Sequence, residues 1–184
     1  GVLMQGNFSH GGGGYLDELK SYVTARLLRD DAKPLKELIE EFCIGYYGED
    51  SHKEIVEYIY LWERHVKDYD LWLYDDADAP MFNDEMIELS FKLLNKALSI
   101  ATSDIYIKRI KKLLLGMEYL HLVRLDLNYP NRDLLIDEFR NKVTSLKITE
   151  LFERTALDYS IDVMKKSRYA KVRDNWYSLY YIMR

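Results

Sequence analysis

The stretch "DIYIKRIKKLLLGMEYLHLVRLD" (Asp104–Asp126) decides the fold. Ile107, Ile110, Leu114, Met117, His121 and Arg124 line one side at helical spacing, and Leu113 and Leu120 flank them. The apolar arc is wider than a surface helix needs, so a helix at the centre of a bundle is expected. On the C-terminal side, "LNYPN" (Leu127–Asn131) reads as a turn with a helix cap. A sixth helix then carries Leu135, Ile136, Phe139 and Val143. A seventh is expected from about Thr149 to Lys166, on Leu151, Phe152, Ala156, Tyr159 and Val163. The aromatic tail "RYAKVRDNWYSLYYIMR" (Arg168–Arg184) reads as a short last helix or an extended segment against the bundle.

On the N-terminal side the same periodicity continues. Residues 15–30 form a first helix with Leu16, Leu19, Val23 and Leu27 on one stripe and Tyr22 and Leu28 beside it. Pro34 suits the first turn of a second helix, whose buried face is Leu35, Leu38, Ile39, Phe42 and Tyr46. Gly48 reads as its stop. Ser51 and Glu54 have the spacing of a capping box for a third helix, with Ile55, Tyr58, Ile59, Trp62, Val66 and Tyr69 on one face. After the loop "YDDADAPMFND" (Tyr74–Asp84), Asn83 or Asp84 caps a fourth helix carrying Ile87, Phe91, Leu94, Leu98 and Ala101. The expectation is an all-α, up-and-down bundle of about seven helices, with a short strand-like segment at Val2–Met4.

Composition narrows the function classes. A net charge of -5 argues against nucleic acid, because phosphate binding needs a basic face. Lys108, Arg109, Lys111 and Lys112 read as a solvated helix face. No apolar run approaches the ~20 residues of a membrane span. The single cysteine, Cys43, excludes an internal disulfide and reads as a buried, inert thiol.

Four stretches invite a chemical reading and favour a plainer one. The glycines of "HGGGGYLDE" (His10–Glu18) lead into Asp17 and Glu18 with no lysine behind them, so a connector is favoured over a phosphate loop. Asp75, Asp76 and Asp78 look like part of a magnesium-holding aspartate motif, but Ala79 and Pro80 break it and an acidic turn is expected. His10, His52, His65 and His121 make no ligand pair, and His121 reads as a core histidine. Trp62, Trp72 and Trp176 could stack on sugars, yet filling the core is favoured for most of the aromatics; Trp72 and Tyr74 are the exposed candidates. No metal site, cofactor or catalytic residue is expected within the chain.

"QGN" (Gln5–Asn7) with "LDELKSYVTARLLRD" (Leu16–Asp30), and "LIEEFCIGYYG" (Leu38–Gly48), resemble one family. They are similar to the last barrel strand, the following helix and the start of the C-terminal helical region in a glycoside-hydrolase-like family of unknown function. Its barrel is related to those of hexosaminidases and α-glucuronidases. Phe42, Gly45, Tyr46, Tyr47 and Gly48 are the most particular part of the match, and Glu118-Tyr119 sits where such proteins often carry that pair.

The resemblance implies that residues 1–14 are the end of a barrel strand and its glycine loop, and 15–184 a helical domain. Gln5 and Asn7 would lie at the barrel mouth as substrate-binding residues. The catalytic carboxylates would lie outside this chain. An upstream barrel of the same polypeptide is the implied partner, glycans the implied ligands, and the bacterial periplasm or exterior the implied location. Val2–Asn7 would dock on the bundle or pair with a second copy. The alternative reading is a stand-alone helical interaction or scaffold module. A third is a metal-dependent helical enzyme built on Asp75, Asp76 and Asp78.

Overall fold

The computed structural model describes residues 12, 14–29, 33–70, 77–152 and 155–168. Among these the chain forms seven helices and one small hairpin. The helices are α1 (Asp17–Leu28), α2 (Leu35–Tyr47), α3 (His52–Val66), α4 (Asp84–Ile100), α5 (Asp104–Arg124), α6 (Arg132–Ser145) and α7 (Leu157–Lys166), with β1 (Glu150–Phe152) and β2 (Thr155–Ala156) before α7. Each helix packs on the next in sequence, and α2 also packs on α5. That last contact closes α2–α5 into a four-helix bundle, as short connections between neighbours favour. α6 and α7 extend it beyond α5, and α1 lies on α2. The all-α, up-and-down architecture is therefore as the periodicity implies.

α5 is covered from two directions. Ile110, Leu114 and Met117 are buried, and so are Leu115, Tyr119 and Leu122 on the opposite side. A helix enclosed in this way has no single polar face, so its wide apolar arc is a consequence of its position.

Several end signals act as expected. The Asn83 side chain accepts the Met86 N–H at 2.9 Å, capping α4. Gly48 ends α2 at φ 95, with its N–H on the Ile44 carbonyl. A side chain there would strike the Tyr106 ring, whose nearest carbon lies 2.6 Å from the Cβ position.

Other expectations are corrected. Pro34 is the cap residue of α2, not part of its first turn, and Leu35 is exposed. The Ser51–Glu54 capping box does not form. Ser51 is already in helical backbone geometry, makes no side-chain cap, and its Oγ is buried without a partner. Glu54 instead pairs with Lys96 of α4 at 2.8 Å.

The seventh helix starts eight residues later than expected. β1 and β2 pair antiparallel, Glu150 opposite Ala156 and Phe152 opposite Thr155. Ile148, Thr149 and Thr155 are β-branched and favour extended backbone, which outweighs a helical spacing shared by only a few apolar residues. Tyr159, expected inside, is exposed.

Two expected stripe residues also lie outside. Leu27 is 51 % exposed. His121 is exposed on α5, where the edge-on Phe91 ring, 6.3 Å away, is its aromatic neighbour. It sits on the stripe with buried Leu114 and Met117 and is nonetheless uncovered.

Candidate functional site

The residues most directly implicated by sequence, Gln5 and Asn7, lie outside the described residues, as do the strand-like Val2–Met4, His10, Trp72, Tyr74, Asp75, Asp76 and Trp176. The described molecule holds the foot of that region. Gly12 and Gly14 border a pocket of about 50 Å³ on α5, walled by Tyr15, Leu115, Tyr119, Phe139 and Phe152, with Lys112 at its edge. Such a volume admits a few heavy atoms, well below the ~150 Å³ of a cavity that takes a benzene ring. It is too small for a sugar ring.

Tyr15 is seated on α5 because Gly116 lacks a side chain. The Tyr15 ring lies 2.8 Å from where a Cβ would stand, so any larger residue would lift Tyr15 away. Tyr15 also meets Tyr58 edge-on at 6.4 Å, and its buried hydroxyl has no partner. Lone tyrosine spacing gives no signal of this docking. It depends on which α5 residue faces the N-terminal end of α1.

Beside the pocket, α1 is tied to its neighbours by charge. Burial pushes the Glu18 carboxyl upward, but its own backbone N–H, Lys112 and Tyr46 outweigh this and hold it below the usual range. Lys112 lies 3.3 Å from it. Tyr46 is pushed up to about 12 by burial and by Glu18. The Arg109 guanidinium stacks 3.9 Å over the Tyr46 ring and donates to the Tyr46 carbonyl at 2.7 Å. The basic cluster therefore divides: Lys108 and Lys111 are the solvated face expected, while Arg109 and Lys112 bind α2 and α1.

Glu41 of α2 forms the second tie. It accepts from Lys33, Arg26 and Tyr22, each at 2.6 Å, and Arg26 also contacts the Tyr22 hydroxyl. Those bonds, Lys33 first, hold its carboxyl down at about 2. A carboxylate depressed in the folded state stabilises above its unfolded value near 4.5, and loses that contribution as pH falls toward the folded value.

The remaining candidates have structural tasks. Glu118 pairs with Lys142 of α6 at 2.9 Å, and the Tyr119 ring packs against Phe139 and Phe152. Trp62 is buried and donates to Ser90 Oγ at 2.9 Å. His52 Nδ1 contacts the Glu49 carbonyl at 2.6 Å, and His65 Nε2 the Met81 carbonyl at 2.9 Å. Asp78 is exposed, whereas Ala77 is buried and its carbonyl accepts from Arg124. Among the described residues no three His, Cys, Asp or Glu gather as metal ligands, and no helix is long and apolar enough to cross a membrane.

Cys43 is fully buried, and burial, with Glu40 adding to it, pushes its thiol up to about 12. The native protein is expected to leave Cys43 unlabelled by a thiol reagent at neutral pH, with stoichiometric labelling only in denaturant. Rapid native labelling would contradict that burial.

Arg132 was not singled out by sequence, yet it is 2 % exposed. It reaches the Lys165 and Ser167 carbonyls at 3.5 and 3.4 Å, at the end of α7, and its Nε has no partner. Because those bonds are long, Arg132→Met is expected to stay within about 1 kcal/mol of wild type. Arg132→Ala, which also empties the volume, should cost about 2–4 kcal/mol in denaturant unfolding.

The fold class is thus an all-α bundle with a glycine-bordered aromatic pocket at the start of its first helix. No family model, no curated protein and no solved structure matches the chain.

Proposed function

We propose that this chain is the helical C-terminal region of a carbohydrate-active, glycoside-hydrolase-like protein, buttressing an upstream barrel and not catalytic by itself. The observation that carries the reading is the incomplete cover on α1. Its stripe runs Leu16, Leu19, Val23, Leu27, but only Leu19 is buried, while Leu27 and Leu28 are 51 % and 56 % exposed. A helix that belongs to a barrel has a second apolar contact, the sheet, and this stripe is available for one. The resemblance at Gln5–Asn7 and Leu38–Gly48 points the same way. Gln5 and Asn7 are the proposed glycan contacts, and the periplasm or cell exterior the proposed location.

The test uses the full-length parent protein and a glycan panel. Binding that is lost in Gln5→Ala or Asn7→Ala is the expected result. A parent that binds and cleaves no glycan overturns the reading.

A second reading, a scaffold module, is favoured by one observation. Leu127, Tyr129 and Leu134 are all exposed around the α5–α6 turn, away from α1.

A further inference from the structure

The attachment of α1 differs in kind from that of the other bundle helices. α5 buries nine residues along its length, whereas α1 buries one, Leu19. Tyr22 and Val23 are half-covered, and Leu27 and Leu28 face solvent. Leu16, Tyr22 and Val23 pack against the core only in part, and the other contacts that cross from α1 to its neighbours are ionic. Glu41 of α2 takes Tyr22 and Arg26 from α1 and Lys33 from the residues before α2. Glu18 of α1 takes Lys112 of α5 and bonds Tyr46 of α2, which Arg109 of α5 covers.

We propose that α1 is held by this ionic latch and opens as a unit while the α2–α5 bundle stays folded. Regions with few buried apolar contacts and solvent-reachable polar ties open at lower free energy than the core. Exposed ion pairs are individually weak and are screened by salt. The Glu41 side chain is 40 % exposed and that of Glu18 is the same. Opening uncovers an aromatic face, because the Tyr22 ring lies 5.4 Å from Phe42, which stacks on Tyr46 at 4.8 Å. The latch thus gates an aromatic surface on α2.

Amide hydrogen exchange on the whole chain tests this. In wild type, α1 amides should exchange ahead of those in α5. Glu41→Gln should accelerate α1 exchange about five- to tenfold at low salt and leave α5 unchanged. Raising salt from about 0.01 M to about 1 M shortens the screening length from about 30 Å to about 3 Å, so the gap between wild type and variant should narrow. Glu57→Gln, which removes the exposed Arg64–Glu57 pair on α3, serves as the control and should leave α1 unaffected. Three results each overturn the latch: α1 exchanging at the α5 rate in wild type, an unchanged α1 in Glu41→Gln, or equal acceleration of α1 and α5. Since Glu41 is on the surface, the variant is expected to fold; Arg26→Gln breaks the same tie from the α1 side and should reproduce the effect.

Discussion

Phe139→Ala should lower the unfolding free energy by about 3–5 kcal/mol. The ring is 1 % exposed, packs 6.3 Å from the Tyr119 ring, and walls the pocket beneath Gly12 and Gly14. Removing it takes away the transfer energy of an aromatic ring and leaves a cavity that the surrounding helices close only in part. Against a typical total of about 5–15 kcal/mol this is a large fraction. At about 2–4 °C per kcal/mol for a chain of this size, the melting temperature should fall by about 6–20 °C. Urea unfolding checks it, as a lower midpoint with an unchanged slope. Leu134→Ala on the same helix, at a position 62 % exposed, should stay within about 0.5 kcal/mol. Equal costs at the two positions would contradict the packing of α6.

Gly48→Ala combines two penalties. The backbone there has φ 95 and ψ 150, a region open almost only to glycine, so an alanine is strained by about 1–3 kcal/mol wherever its side chain points. Its Cβ would also stand 2.6 Å from the Tyr106 ring, and such overpacking adds about 1–3 kcal/mol. The sum, about 2–6 kcal/mol, should appear as a lowered denaturation midpoint. Pairing it with Tyr106→Leu separates the terms. The double variant should recover the steric part and keep the backbone part, so the cycle should be non-additive by about 1–3 kcal/mol. Full additivity would mean that Tyr106 does not press on Gly48.

How far the sequence could be read depended on whether a signal was local. The α5 pattern needed only its own residues, and its breadth correctly implied a central helix. The Asn83 cap and the Gly48 stop were legible for the same reason: each acts on backbone groups within four residues of itself. The Ser51–Glu54 pair shows the limit. Its spacing was right, but the chain leaving Gly48 was already helical at Ser51, and Lys96 from another helix claimed Glu54. At Leu151–Ala156 two local preferences competed, and the hairpin won because the β-branched residues around it outweighed a sparse helical stripe.

Sites were harder to read than elements. Nothing near Arg132 in sequence signals that it would be buried at the end of α7, and nothing near Glu41 predicts that Tyr22, Arg26 and Lys33 converge on it. His121 and Leu27 matched the stripe and were still left in water, since periodicity gives a direction around a helix and no information about what lies in that direction.

By itself, then, the order of residues determined which segments are helical, which faces are apolar and that α5 is the axis, because propensity and 3.6-residue periodicity act within one turn of the chain. Tertiary structure alone decided that α2 closes onto α5, that Tyr15 is seated on Gly116, and that α1 is tied by Glu18 and Glu41 while Leu27 and Leu28 remain uncovered. Those outcomes depend on which surfaces meet across tens of residues, and a periodic pattern carries no record of its partner.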